Sequence, residues 1–433
     1  MSRLLRGIVS TTAGGGVALA AGLAAAPLLA QALGPGGRGE LAAATAPLML
    51  ATGALTLGLP EAVTHFTARR SGIGRRAALA IFWILLAAGL AGTAAILVLA
   101  PALSAGDPGL ALLVSLAGAA VAPSLSVGLL RGVAAGRHRW RLVGLEKASG
   151  ALLRLGAIAA LAAGGELTPL SATVVFAASP LAGGLVYLGL LGRSPARHTH
   201  PGPAASADLA RYASALWPGL VVGIALSRAD QLLIVPLSDT EQLGIYAVAV
   251  TIADAALVLN AAVRDVVFAA ESARNDDARL QRAARLSTAA TLLGAVALLA
   301  ASAWSVPFLF GPGFAPAVPV TALLLLGVVL GNPGSVAGAG LNARGRPGLR
   351  SLSLVLALAA NLVLLLLLVP ALGAVGAALA KVAGNIVAGN TNLLWLRLFH
   401  GQRIRDYVGL RRGDLRTDVA AAAPRANVGA GGA

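Results

Sequence analysis

The chain has 433 residues, of which 57% are apolar and only 12% charged, and its mean hydropathy is +0.82. Soluble domains carry about 25% charged residues, so this composition excludes an ordinary soluble enzyme and points to repeated membrane crossings. Cysteine is absent, which excludes disulfides and thiolate metal sites, and no HExxH or dense His/carboxylate cluster offers a metal or other cofactor a home.

Twelve apolar runs reach the roughly 20 residues needed to cross a bilayer. They lie near 9–33, 41–64, 77–100, 110–130, 148–164, 170–192, 212–236, 243–268, 286–307, 317–342, 351–370 and 374–396. Short connections leave no room for a large extramembrane domain. Residues 1–26 are read as the first crossing and not as a cleaved leader, because losing them would invert the register of the basic loops. Arginine and lysine collect on alternate connections: the N-terminus, 67–76, 131–147, 193–211, 269–285, 343–350 and the tail from Arg397. The opposite connections hold Arg38 alone, and Arg154, Arg228, Arg264 and Lys381 fall inside the runs. This bias places both termini in the cytoplasm. The net charge of +16 is therefore a topology signal that also suits anionic membrane lipids, and it does not indicate nucleic acid. The Ala/Gly/Arg/Pro bias, with only two lysines among 33 basic residues, suggests a GC-rich bacterial source and hence a bacterial cytoplasmic membrane.

A weak internal repeat joins the halves. Gly39-Glu40-Leu41-Ala42 follows the first run as Gly244-Ile245-Tyr246-Ala247 follows the seventh, an offset of 205. Gly136-Arg137 similarly matches Gly345-Arg346 at an offset of 209. Six runs per half in the same orientation predict two six-helix bundles, 1–200 and 201–400, related by a pseudo-two-fold along the membrane normal. Transporters built this way bind substrate between the halves. Residues 401–433 form a basic tail, whose Ala/Gly-rich end AAAPRANVGAGGA reads as disordered.

Some apparent motifs are structural. Gly34-Pro35-Gly36-Gly37-Arg38-Gly39 satisfies G-x-G-x-x-G but follows an apolar helix, so it reads as a turn. Ser238 to Glu241 reads as a capping box for the eighth run. The polar residues inside the runs are more informative, since an ionisable group at membrane depth costs about 2.5–3.5 kcal/mol and wants a partner or a watery cavity. Arg228 and Asp230, beside Gln231, stand about 200° apart on a helix and are poorly placed to pair. Lys381, Asn385 and Asn392 share one face of the last run, with Asn390 off it. Arg154 lies two turns into the fifth run, Asp254 is in the middle of the eighth, and Asn332-Pro333-Gly334 interrupts the tenth. Glu61, His65, Arg264 and Asp265 read as interfacial. Arg154, Arg228 and Lys381 against Asp230 and Asp254 leave a positive excess suited to a phosphate or pyrophosphate, although purely interhelical pairing is the other reading.

At these residues the chain resembles the polysaccharide (oligosaccharide) flippases of the multidrug/oligosaccharidyl-lipid/polysaccharide exporter superfamily. The resemblance is carried by LGPGGRGELAAATAP (Leu33–Pro47), LGLPEAVTHFTAR (Leu57–Arg69), LLRGVAAGRHRWRLV (Leu129–Val143), SRADQLLIVPLSDTEQLGIYAVA (Ser227–Ala249) and LFGPGFAPA (Leu309–Ala317). It implies an all-α polytopic protein, V-shaped around a central cavity; that it is not an enzyme and has no cofactor is expected from the lack of an acidic motif, a large extramembrane loop or a metal-ligand cluster. Such a protein carries a lipid-linked oligosaccharide, usually on undecaprenyl pyrophosphate, to the outer leaflet by alternating access. On that footing Arg154, Arg228 and Lys381 are candidates to meet the pyrophosphate. Asp230, Asp254, Gln231, Asn385 and Asn392 are candidates for the cavity or for coupling. Glycan polymerase or glycosyltransferase proteins would be its partners. Two alternatives stay open. A cation-coupled multidrug exporter of the same superfamily would need a carboxylate in the first-half bundle, which the centres of runs one and three to six lack. A non-transporting scaffold of a glycan assembly complex would have no need for buried charges on several helices.

Overall fold

The computed structural model describes residues 3–68, 73, 75–191, 205–271, 277–411 and 414, with side chains from 13–68, 73, 76–189, 207–256, 277–411 and 414. All regular structure among them is helical: α1 (Arg3–Ala54), α2 (Leu59–Ala68), α3 (Arg75–Leu103), α4 (Pro108–Gly118), α5 (Val121–Gly136), α6 (Trp140–Ala163) and α7 (Pro169–Gly184). There follow α8 (Leu188–Leu191), α9 (Ala205–Leu237), α10 (Thr240–Glu271), α11 (Asp277–Ser305), α12 (Ala317–Ala343) and α13 (Pro347–His400). Eight stretches are long and apolar enough to cross a membrane, and two of these, Ala13–Ala54 and Pro347–His400, are of double length at 42 and 54 residues. Each double helix breaks at a glycine in the left-handed region, Gly34 at φ 66° and Gly373 at φ 52°. Dividing them there, and adding α6, which carries Glu146, Lys147 and Arg154, and the 32-residue α10, gives twelve crossings in two sets of six, as expected.

The breaks follow from local chemistry. Pro108, Pro169 and Pro347 sit in the first turns of their helices, where a missing N–H is harmless. Asp107 Oδ1 accepts from the Gly109 amide at 2.8 Å to start α4, and Thr168 and Ser171 cap α7 reciprocally. The cap of α10 falls one residue later than the sequence suggests: Asp239, not Ser238, accepts from the Gln242 amide at 2.8 Å. Either residue type suits an N-cap, and the helix start at Thr240 puts Asp239 in that place. The Gln242 side chain then accepts from the Ala374 amide at 3.0 Å, fixing the bend after Gly373.

The repeat is visible in the turns. Left-handed residues recur at equivalent connections: Gly106 with Gly311, His138 with Gly345, and Gly165 with Gly373. These offsets are 205, 207 and 208. The loop match assigned an offset of 209 therefore shifts by two residues. The Gly-Arg identity behind that match is less constrained there than the backbone reversal at His138 and Gly345.

In oil, helices associate through close packing and interhelical hydrogen bonds. Gly334 on α12 meets Gly389 on α13 so closely that an added Cβ would lie 2.0 Å from the Gly389 Cα. Two residues before it, on the opposite side of α12, buried Asn332 donates to Ser287 Oγ at 2.8 Å and Thr288 Oγ1 at 2.9 Å on α11. The interruption at 332–334 is thus a three-helix junction.

The end of the chain folds further than expected. Residues 401–411 and 414 do not trail away; they run under α11 and α12 as a strap, and the rest of the tail lies outside the described residues. Tyr407 is fully buried with Leu280, Leu341 and Leu396. Asp414 grips Arg285 on α11 through both oxygens, at 2.5 and 2.7 Å, with the pair buried. The apolar anchor and this pair were hidden in the sequence because basic, Gly-containing composition masks one well-placed Tyr and one Asp. Hydrogen bonding to Arg285 lowers the Asp414 pKa from 3.8 to about 2. Ionisation therefore stabilises the docked strap above the unfolded value near pH 4, and the stabilisation is lost as pH falls toward 2. Asp414→Asn should speed amide exchange across 402–411 at least tenfold at pH 7, a loss of about 1.4 kcal/mol locally. That difference should shrink below pH 4, and equal exchange rates at pH 7 would refute the role given to the pair.

Candidate functional site

Three helices of the second half converge on Asp230. Its Oδ2 receives the Lys381 ammonium from α13 at 2.9 Å and the Tyr246 hydroxyl from α10 at 2.6 Å. Its Oδ1 accepts from the Gln231 amide at 2.8 Å. Lys381 Nζ also donates to the Leu226 carbonyl on α9 at 2.7 Å. Asp230 is 1% exposed, whereas Lys381 keeps 20% of its side chain accessible. The charge of each is balanced by the other, and the pair ties α9 to α13.

Arg228 points elsewhere, as its spacing from Asp230 requires. Down the same face of α9, Ile224 packs on Gly53 of α1, where an added Cβ would lie 2.8 Å from Ile224 Cγ1. Further along, Trp217 Nε1 donates to the Ala54 carbonyl at 2.6 Å and Ala213 abuts Gly58. Arg228 is one turn beyond Ile224, so it belongs to the face turned toward the first bundle. Among the described residues its guanidinium makes one hydrogen bond, from NH1 to Gln231 Oε1 at 3.2 Å, and its buried Nε meets no acceptor. No carboxylate lies within ion-pair distance of it among the described residues. Asp254 on α10 is half-buried and feels the charges of Arg228, Lys381 and Asp230.

The other candidates take structural places. Arg154 lies 4.8 Å above the Phe176 ring, between α6 and α7 of the first bundle. Asn385 packs over Gly327 and Gly331 of α12, and Asn392 Nδ2 donates to the Gly334 carbonyl at 3.0 Å. The polar stripe on the last crossing is therefore divided: Lys381 reaches α9, while the two asparagines fasten α12. Of the residues read as interfacial, Glu61 is exposed and His65 stacks on Tyr212 with ring centroids 4.4 Å apart. The side chains of Arg264 and Asp265 lie outside the described residues.

Sequence reasoning missed three members. Tyr246 is a fully buried hydroxyl whose only signal was a tyrosine in a run of small and branched residues. Asn361 is fully buried beside Gly384 and Leu226 with neither side-chain atom hydrogen-bonded. Glu146 is buried in α6, where Arg131 binds it through two bonds of 2.8 and 2.9 Å and Tyr187 adds a third at 3.3 Å. An arginine counted as a loop charge and a glutamate near a helix start gave no hint of that pairing.

Two open apolar grooves on the first bundle, beside α5 and α7, contain none of these residues.

Comparison with known proteins places this arrangement. Residues 4–268 match the profile of the family described as polysaccharide biosynthesis protein. Among solved structures, the lipid II flippase MurJ in an inward closed conformation superimposes with a TM-score of 0.74 at 14% identity, over 92% of this chain and 88% of that one. An inward-facing multidrug resistance MATE family transporter of the MOP superfamily gives 0.65 at 18% identity, over 87% and 93% of the two chains. A MOP superfamily transporter from Pyrococcus furiosus, described as having a binding pocket of reverse polarity, gives 0.60 at 15% identity over 92% and 95%. Among curated proteins none matches by sequence. The fold is that of the MOP superfamily.

Proposed function

The chain belongs to the polysaccharide biosynthesis protein family, and from that premise we propose that it is a flippase for a lipid-linked oligosaccharide carried on a polyprenyl pyrophosphate. The basic end faces the cytoplasm of a bacterial cell, in keeping with the bias of its loops. The substrate enters between the bundles, and the bundles alternate their access around it.

One observation carries this reading. Arg228 is a cation at membrane depth, on the face toward the other bundle, and among the described residues its Nε has no acceptor and no carboxylate lies within ion-pair distance of it. Burying such a group is unfavourable unless an anion completes it. A pyrophosphate supplies two or more acceptor oxygens that a guanidinium fork can meet together. Lys381 does not share the task, because Asp230 already neutralises it. Asp230, Lys381 and Tyr246 instead hold α9, α10 and α13 in register behind Arg228. Asp254, near the same group, is positioned to respond when the anion arrives or leaves.

The chain contains no cysteine, so Leu220→Cys gives a clean probe two turns below Arg228 on the same face, where Leu220 is 37% exposed. A water-soluble maleimide should modify it. A polyprenyl pyrophosphate oligosaccharide should slow that modification at least tenfold, and cationic drugs should not. Protection by a cationic drug, with none by the lipid pyrophosphate, would overturn this reading in favour of an exporter.

A further inference from the structure

The two bundles meet at the end opposite the basic loops through a contact that repeats itself. Gly39 of α1 packs on Thr240 of α10, where an added Cβ would lie 1.7 Å from the Thr240 carbonyl oxygen. Gly244 of α10 packs on Pro35 of α1, where it would lie 1.9 Å from that carbonyl. Both partners are offset by 205, so Gly39 and Gly244 are equivalent residues and so are Pro35 and Thr240. The contact is self-complementary about the pseudo-two-fold axis, as in an isologous dimer. The glycine-rich stretch 34–39 is thereby explained without a phosphate: Gly34 makes the bend and Gly39 makes the contact.

Burial changes sharply beneath this seam. Residues 41–48 of α1 and 243–249 of α10 are all buried, whereas 49–54 of α1 are only half-buried and most of 214–228 on α9 is half-buried or exposed. Tyr246, two residues past Gly244, leads directly to Asp230 and Lys381. The seam thus separates the charged cluster from the solution at that end. Its two glycine contacts are against backbone carbonyls, beside the Pro35 ring on Gly313 and a hydrogen bond from Gln31 Nε2 to the Leu309 carbonyl at 2.8 Å. Below it the side chains of α1 and α10, among them Ala43 and Leu48 with Ile245 and Val248, belong to one buried core, so the two glycines set how closely the helices approach and how well that core closes.

We propose that this reciprocal glycine seam is the gate at the end opposite the basic loops, and that its closure requires glycine at both 39 and 244. The inference rests on the transport reading, but its first test needs no substrate. Val248 is 1% exposed, one turn below Gly244. A Val248→Cys probe should be nearly inert to an aqueous maleimide in the otherwise unchanged chain. Adding Gly39→Ala or Gly244→Ala should wedge the seam and raise its labelling rate at least tenfold, by similar factors for the two substitutions. A second test leaves both glycines in place. Pro35 Cγ lies 3.2 Å from the Cβ position of Gly313 in the other bundle, so Pro35→Cys with Gly313→Cys can be oxidised to a disulfide across the seam. Oxidation should lower transport at least tenfold and reduction should restore it. Full transport by the oxidised protein would make the seam a fixed pivot and end the proposal, as would unchanged Val248→Cys labelling in both alanine variants. If the unmodified chain moves no lipid-linked sugar, the flippase reading fails while the labelling result still decides the gate.

Discussion

Asp230→Ala should lower the stability of the folded chain by about 3–5 kcal/mol, the loss typical when one member of a buried ion pair is removed. The substitution strands the Lys381 ammonium beside the Leu226 carbonyl alone and removes the acceptor of the buried Tyr246 hydroxyl. Asp230→Asn should cost less, since an amide oxygen can still receive the tyrosine. The double variant Asp230→Ala with Lys381→Met should recover most of the loss, because neither charge is then uncompensated. Thermal unfolding in detergent, analysed as a double-mutant cycle, measures the coupling directly. If Asp230→Ala melts at the wild-type midpoint, the pair does not hold α9 to α13 and the second bundle must be organised by something else.

Arg228→Ala should leave the melting midpoint nearly unchanged and reduce transport by about 10- to 150-fold, the equivalent of one charge-assisted hydrogen-bonded contact of about 1.5–3 kcal/mol. The contrast follows from geometry. Among the described residues Arg228 makes one hydrogen bond, to Gln231, and its removal takes away a buried nitrogen that meets no acceptor there. Arg228→Lys should fall between, because an ammonium keeps the charge and loses the fork. Arg154→Ala should behave in the opposite way, losing about 0.5–2 kcal/mol of stability with its cation–π contact and little transport. The measurement is uptake of a labelled lipid-linked oligosaccharide into vesicles, with melting recorded for each variant. Equal transport losses at positions 154 and 228 would contradict the separate roles assigned to them.

The crossings were legible because oil leaves the chain few options: about twenty apolar residues must become a helix, and basic loops must stay on one side. The opposed directions of Arg228 and Asp230 were legible for a similar reason, since helical rotation is fixed by residue spacing. Which partner each found was not. Lys381 looked available for a substrate because spacing within one helix says nothing about a carboxylate 151 positions away. Asn385 and Asn392 looked like cavity lining because the sequence does not show that α12 presents Gly327, Gly331 and Gly334 to them. The strap was missed for the reverse reason: a composition that favours disorder conceals two anchoring residues. Periodicity reveals the faces of single helices, whereas a site is made by the register between helices.

The seam has a bearing on descent and on engineering. Because the same four positions meet across it in exchanged roles, one polypeptide carries the interface of a two-fold homodimer. Half-chains cut in the 192–204 connection should therefore find each other again when made together, and a symmetric ancestor of six crossings would have needed only one glycine to pair with its own copy. Arg228 itself stands outside this symmetry, since the equivalent position 205 residues earlier is Leu23.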